Sequence, residues 1–172
     1  MTDDAFPEKL GSKFTILAWI LFIGLMTYYF HQYLEKQNNP NDQVNSITTD
    51  NLQQVILDRN RAGHYVATAY INDQEVVAIL DTGATDVSIP ANIANRLNLQ
   101  RGPSFEVSTA NGNITVYATT IDKIQLGGIT LQGIRANINP YLREQDVLLG
   151  MSFLKHLEFS QQGQQLILKQ YN

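Results

Sequence analysis

Asp81 is the residue whose surroundings point most clearly to chemistry, because it ends an apolar run and precedes a hydroxyl and a glycine. The stretch reads Ile79-Leu80-Asp81-Thr82-Gly83-Ala84-Thr85. Burying an unpaired carboxylate at the end of a hydrophobic strand is costly, so this acid needs either a compensating partner or a function. Thr82 can supply a local hydrogen bond, and Gly83 lets the backbone turn tightly or approach another chain closely. The plainer alternative is a strand-to-loop turn, and the context of the stretch decides between the two.

Three further segments supply that context. Residues 146–154 repeat the design of an apolar strand, a glycine and a short helix. Residues 108–113 contain an Asn-Gly pair, which is a strong signal for a hairpin turn between two strands. Residues 87–89 form a second short apolar run, and Ser88 within it is expected to cap a helix over residues 90–97.

The order of these segments resembles a known family. Asp-Thr-Gly-Ala at 81–84, an Asn-Gly hairpin and Leu-Leu-Gly-Met-Ser-Phe-Leu at 148–154 follow one another as in the bacterial membrane-anchored retropepsin-like aspartic proteases. The similarity covers roughly residues 52–170. It implies an all-β, retropepsin-like acid-protease barrel with a flap hairpin and one or two short helices, preceded by an N-terminal transmembrane helix.

The resemblance also implies roles for the residues of these motifs. Asp81 is the expected catalytic carboxylate. Thr82 and Gly83 form the active-site loop, in which the threonine bonds across to the other subunit's loop and the glycine permits its close approach. The residues expected to contact the substrate follow the motif or lie on the flap: Ala84, Thr85, Asp86, Thr109, Ala110, Asn111 and Gly112.

A single Asp-Thr-Gly motif in the chain predicts a homodimer. Peptide hydrolysis can use two carboxylates that share one proton, of which one activates water and the other, protonated, polarises the scissile carbonyl. One chain supplies one Asp81, so the pair needs two copies related by a two-fold axis. Asp146 is the other candidate for a pair within one chain, but the resemblance gives its segment a structural role.

The predicted function is therefore an aspartic endopeptidase that acts on polypeptide substrates as a homodimer and needs no cofactor. The alternative is a non-catalytic retropepsin-like module that binds peptides or scaffolds a complex at the membrane. The intact Asp-Thr-Gly motif favours the enzyme, because a module without activity has no need of the acid.

Composition restricts the remaining classes. With 172 residues, the chain can build one core and an appendage but not two full domains. The net charge of −4, without a concentrated basic run, argues against nucleic acid as the main partner. The lack of cysteine excludes a disulfide scaffold, a cysteine nucleophile and a thiolate metal site. His31, His64 and His156 lack the spacing of metal ligands, so no metal site is expected.

An uncharged apolar run occupies residues 14–30, between Lys13 and His31. As a helix it would be about 25 Å long, at the short edge of what spans a bilayer. We expect an uncleaved, single-pass anchor in the lipid bilayer. A cleaved signal peptide is disfavoured by the bulky residues at 31–35, and a buried soluble helix is disfavoured because the run is apolar on every face. The excess of lysine before the run predicts an inner-membrane protein with its C-terminal domain outside the cytoplasm, in the periplasm.

The chain divides by composition into four parts. These are an N-terminal flank (1–13), the transmembrane anchor (14–30), a polar linker (31–51) and the retropepsin-like domain (52–172). Short apolar runs and Gly-rich turns in the last part predict a closed or sandwiched all-β domain. Strands are expected over 52–57, 65–71, 75–80, 105–110, 114–126, 129–138, 157–159 and 166–168, a tight turn at Asn72-Asp73, and helices near 90–97 and 151–156.

Overall fold

A computed structural model describes residues 5–109, 112–142 and 146–171, with side chains from residue 13 onward. The chain falls into two compact units, Met1–Gln37 and Asn38–Asn172. The first unit is helical, and the strands belong to the second.

A single helix, α1, spans Ala5–Asn38 and contains the predicted anchor. Its apolar side chains are exposed; Trp19, for example, keeps 60% of its surface accessible. Within the described ranges, Lys13–Asn38 is the one helix that is long and apolar enough, by length and composition, to cross a membrane. The predicted span at 14–30 lies inside it.

The second unit contains eleven strands and two short helices in its described part. They are β1 (Asn45–Thr49), β2 (Leu52–Asp58), β3 (Tyr65–Ile71), β4 (Gln74–Leu80), β5 (Val87–Pro90), α2 (Ala91–Arg96), β6 (Ser104–Thr109), β7 (Gly112–Leu126), β8 (Ile129–Asn139), β9 (Val147–Leu149), α3 (Met151–Leu154), β10 (Glu158–Gln162) and β11 (Gln165–Tyr171).

The strands form two sheets, of which the larger closes on itself. Its order is β3-β4-β9-β5-β8-β7-β6, and β3 pairs again with β7, so that six strands make a ring and β6 is added to β7. The smaller sheet has the order β1-β2-β11-β10 and is antiparallel throughout. The predicted closed all-β domain with two short helices is present in the described residues.

Alternating side chains explain why these segments fold as strands around one core. Along β4, Val76 and Ala78 are buried, whereas Glu75 is exposed and Val77 is half-buried, which is the two-residue period of a half-buried strand. The largest fully buried side chains are contributed by both sheets and by α3: Phe153, Leu57, Ile71, Ile89, Ile121, Ile124, Leu126, Ile129, Leu149, Leu154, Leu168 and Val55.

The predicted tight turn between β3 and β4 is present. Asn72 and Asp73 both have left-handed backbone angles, with φ of 48° and 64°. Two such residues in a row match the twist of a two-residue hairpin, and Asn and Asp tolerate this conformation better than most residues. The turn also joins β7, because the Lys123 N–H donates to Asn72 Oδ1 at 3.1 Å.

The predicted polar linker at 31–51 differs from what the structure shows. Residues 31–38 continue α1, and residues 45–49 form β1, which pairs along its length with β2. The described second unit therefore begins at Asn38 rather than at residue 52. Polar composition was a poor guide here, because an exposed edge strand such as β1 needs few apolar residues.

Asn41 ties this N-terminal segment into the barrel. It is only 4% exposed, and its side-chain NH2 donates to the carbonyls of Asp58 at 2.9 Å and Val66 at 2.7 Å. Its Oδ1 accepts the Asp58 N–H at 2.7 Å, and its carbonyl accepts the Thr68 N–H at 3.1 Å. A single amide thereby satisfies the end of β2 and the beginning of β3, whose groups would otherwise be buried unpaired.

The predicted helix near 90–97 is present as α2, but Ser88 does not cap it. Pro90 stands at the cap position, without a side-chain hydrogen bond to the helix. Ser88 lies in β5, where its Oγ donates to Asn137 Oδ1 of the neighbouring strand β8 at 2.8 Å. The hydroxyl is buried between two parallel strands, so the sheet and not the helix satisfies it.

Tyr65 carries a buried hydroxyl without a hydrogen-bond partner among the described residues. Leaving such a group unsatisfied costs about 1–3 kcal/mol. We therefore expect Tyr65→Phe to leave the free energy of unfolding unchanged or to raise it, by about 1 kcal/mol. Urea denaturation of both proteins measures this difference. Tyr171→Phe, which removes an exposed hydroxyl bonded to Glu158 at 3.1 Å, is the matched control. A loss of stability in Tyr65→Phe well beyond that control would contradict the expectation.

Candidate active site

Asp81 follows directly on β4, at a point where the strand is held from its neighbour. β4 runs parallel to β9, with Ile79 level with Leu148 and Leu80 level with Leu149. The Asp81 N–H continues this ladder by donating to the Leu149 carbonyl at 3.1 Å. The backbone of Asp81 is therefore fixed by a strand inside the closed sheet, and not by a mobile loop.

Residues 81–86, here called the Asp81 loop, turn immediately after this point. The Gly83 N–H donates to Asp81 Oδ1 at 2.8 Å, and the Ala84 N–H donates to the Asp81 carbonyl at 3.3 Å. Asp81 is partly exposed, while Thr82 and Gly83 are exposed. The carboxylate is thus oriented by a backbone N–H and remains accessible at the surface of the single chain.

The strand-glycine-helix segment at residues 148–154 holds the Asp81 loop through backbone hydrogen bonds and close packing. At the start of α3, the N–H groups of Met151 and Ser152 donate to the carbonyls of Ala84 and Thr85 at 2.8 and 2.9 Å. Gly150 is packed so closely that a Cβ there would lie 2.4 Å from the Asp86 carbonyl oxygen and 2.6 Å from that of Ala84. The glycine is required because the loop backbone occupies the place of a side chain.

Two side chains outside the predicted site complete this support. Ser152 Oγ accepts the Val87 N–H at 2.9 Å and donates to the Arg135 carbonyl at 2.7 Å. The Arg135 guanidinium donates to Asp86 Oδ1 through Nε at 2.8 Å, and Nη2 forms an ion pair with the same oxygen at 2.7 Å. The far end of the Asp81 loop is thereby connected to β8. Arg135 has no local sequence signal, since it lies 49 positions from Asp86, whereas Ser152 is part of the Leu-Leu-Gly-Met-Ser-Phe-Leu motif.

The predicted flap corresponds to the end of the β6–β7 hairpin. Ser108 pairs with Asn113 and Thr109 with Gly112, and Thr109 Oγ1 donates to the Gly112 carbonyl at 2.8 Å. Gly112 has a φ of 107°, which favours glycine. Ala110 and Asn111 lie outside the described residues. The substrate-binding roles of Thr109 and Gly112 stay predictions, as do those of Ala84, Thr85 and Asp86.

Asp146 is far along the strand direction from Asp81. Val147, the next residue, is level with Ala78, which precedes Asp81 by three positions. Asp146 is one position further away, and four residues at the rise of a β-strand separate it from Asp81 by about 13 Å along the strand. The register therefore gives no support to a pair of acids within one chain. Within the described ranges, no three His, Asp or Glu side chains come together as a metal-binding group.

A closed β barrel that carries an Asp-Thr-Gly loop, supported by a strand-glycine-helix segment, defines the retropepsin-like class of aspartic proteases. Residues 67–156, more than half of the chain, match the family model described as gag-polyprotein putative aspartyl protease. The chain belongs to this family, and the expectation from its motifs is confirmed.

Two other proteins are similar to this chain, one in structure and one in sequence. The crystal structure of a retropepsin-like aspartic protease from Rickettsia conorii superposes with a TM-score of 0.59 and 25% sequence identity, covering 75% of this chain and 96% of that one. An uncharacterized protein in the cobV 5' region of a Sinorhizobium species is 31% identical over 112 residues, which is 63% of this chain. The match covers 48% of that relative, so the chain spans about half of its length.

Proposed function

We propose that this protein is a membrane-tethered aspartic endopeptidase, whose catalytic pair consists of Asp81 from each of two identical chains. The observation that carries the proposal is the Asp81 carboxylate itself, held by the Gly83 N–H at 2.8 Å on a strand fixed to β9 and accessible to a partner. The similarity to a retropepsin-like protease from Rickettsia conorii supports the same activity.

The chemistry needs one proton shared by two carboxylates. The ionised carboxylate accepts a proton from a water molecule as the water oxygen attacks the peptide carbonyl carbon. The protonated carboxylate donates to the carbonyl oxygen, so that the tetrahedral intermediate is a neutral diol. The carboxyl that took the proton of the water then gives it to the leaving nitrogen as the carbon–nitrogen bond breaks. The other carboxylate takes a proton from one hydroxyl of the diol, whose oxygen becomes the carbonyl of the new carboxylic acid, so one of the two carboxyls is again protonated.

The two-fold axis of the proposed dimer passes between the two Asp81 loops. An isologous contact brings the same surface of each chain together, so the exposed Thr82 and Gly83 would face their own copies. Gly83 has no side chain to hold the loops apart. Among the described residues, no second acid is brought beside Asp81, because the register places Asp146 before the start of β9. Dimerisation is therefore the step that makes the enzyme.

The proposed location follows from α1. Its apolar segment would anchor the chain in the inner membrane, and the lysines that precede the segment favour an N-terminus inside and a protease domain in the periplasm. Two anchored chains diffuse in one plane, so the anchor raises their effective concentration without adding a contact.

The specific activity of a soluble fragment, residues 38–172, should fall as it is diluted. Monomers carry one acid each, so the active fraction follows the dimer fraction by mass action. Full-length protein in liposomes should be less sensitive to bulk dilution, because the lipid area sets its local density. A peptide-library digest at each concentration, with sedimentation of the same samples, measures both quantities.

Sedimentation distinguishes the possible outcomes of this dilution series. Monomers that retain full specific activity would refute the shared pair of acids. Dimers that persist to nanomolar concentration would remove only the proposed role of the anchor. A dimer without any proteolysis would favour a peptide-binding or scaffolding module instead.

A further inference from the structure

Asp86 is covered by Arg135 rather than presented to solvent. Its side chain is only 11% exposed, and a single oxygen, Oδ1, accepts the Nε hydrogen bond at 2.8 Å and lies 2.7 Å from Nη2. The Arg135 side chain is 69% exposed, so the outward face of this pair is the cation. An acid that the sequence marks as a substrate contact is therefore neutralised from one side by a residue of β8.

The pair differs from an ordinary surface ion pair, whose partners are both solvated and contribute little. Asp86 is mostly withdrawn from water, and removing one partner of such a pair leaves a charge without compensation. Two further hydrogen bonds connect the end of the Asp81 loop to β8, because Ser152 Oγ accepts the Val87 N–H and donates to the Arg135 carbonyl. Arg135 is thus held at a defined position beside the Asp81 loop.

The outer face of Arg135 lines a groove of about 560 Å³. The other charged residues of this groove are Arg101, whose guanidinium lies 4.3 Å from the centre of the Tyr117 ring, and Asp122. Two cations and one acid therefore line the groove, and Asp86 is not among its lining residues. Without Arg135, the charge left beside the Asp81 loop would be that of Asp86.

We propose that Arg135 is a specificity-determining positioning residue, which covers Asp86 and so makes the substrate surface beside the Asp81 loop accept acidic and neutral side chains. This inference rests on the proposed protease function. It assigns the substrate charge preference to β8 and not to the Asp81 loop in which the acid lies.

The test compares full-length proteins in liposomes that carry the wild-type pair, Arg135→Gln, Asp86→Asn or both changes. A peptide-library digest first identifies a sequence that the wild type cleaves. Variants of that peptide then carry Glu, Gln or Lys at one position at a time, and kcat/KM is measured for each. The readout is the Glu-to-Lys ratio of kcat/KM, which a loss of folding alone leaves unchanged.

We expect Arg135→Gln to shift this ratio towards Lys by about tenfold at one peptide position, since a charge-assisted contact is worth about that much. Asp86→Asn should shift it towards Glu, because Arg135 then lies beside the substrate without its acid. The double variant should return to within about threefold of wild type, as the two changes act on one pair. Asp86→Asn also decides the matter if Arg135→Gln does not fold.

The proposal is overturned if folded, active single variants keep the wild-type ratio at every peptide position, or if the double variant differs from wild type as much as Arg135→Gln does. A wild-type protein that cleaves no peptide would overturn the protease function itself, and this inference with it. The two failures are distinct, because only the first is observed in an active enzyme.

Discussion

Asp81→Asn should abolish proteolysis while preserving the fold and the dimer. Asparagine keeps the shape of aspartate, and its Oδ1 can still accept the Gly83 N–H, so the loop geometry is retained. The amide cannot act as a base or share a proton with its partner, and loss of a general base typically lowers kcat by about 10²–10⁴-fold. Digestion of a peptide library by the variant, together with its sedimentation and thermal unfolding, measures all three properties.

The matched control is Asp146→Asn, which makes the same chemical change at the residue that precedes the neighbouring strand β9. Its register places it away from Asp81, so this variant should still cleave the peptides that the wild type cleaves. If Asp81→Asn kept wild-type activity, the catalytic assignment would be wrong. If both variants lost activity while remaining folded, a pair of acids within one chain would have to be reconsidered.

Gly150→Ala should be among the most damaging single changes in the domain. The added Cβ would lie 2.4 Å from the Asp86 carbonyl oxygen and 2.6 Å from that of Ala84, so the loop backbone would have to move. Overpacking against backbone that is itself hydrogen-bonded should cost at least about 3 kcal/mol and lower the Tm on the order of 10 °C. Activity should fall further than stability explains, because the displaced backbone belongs to the Asp81 loop.

Gly163→Ala separates this clash from the general cost of replacing glycine. Gly163 lies in the turn between β10 and β11 with a φ of 60°, and a Cβ there meets no atom within 4 Å. Its replacement should cost only the strain of the left-handed conformation, about 1–2 kcal/mol, without an effect on cleavage. Calorimetry of both variants checks the difference, and equal losses would show that the contact at Gly150 is not what makes it necessary.

The parts of the fold that sequence could predict are those with a local signature. Glycines, Asn-Gly and Asn-Asp turns and alternating apolar residues gave the strands of the barrel, the β3–β4 hairpin and the position of Asp81 at a strand end. β1 escaped prediction because Asn45–Thr49 is exposed along its whole length and needs only a partner strand, not an apolar face.

The parts of the site that sequence could not predict depend on contacts between distant residues. In the sequence, Arg135 is indistinguishable from any exposed cation in a strand, and only the fold brings it to Asp86. Ser152 resembles a helix-start hydroxyl, yet it bonds Val87, 65 positions away. Such polar contacts follow no period along the chain, because one well-placed donor or acceptor suffices and its neighbours are free to vary.

The position of Asn41 bears on where the chain can be cut. Its amide and carbonyl satisfy the backbone of Asp58, Val66 and Thr68 inside the second unit. A cut ahead of Asn39 would leave every one of these hydrogen bonds intact. A cut after Asn41 would leave the backbone groups of Asp58, Val66 and Thr68 without these partners. A cut that separates α1 from the second unit therefore preserves these hydrogen bonds only on the N-terminal side of Asn41.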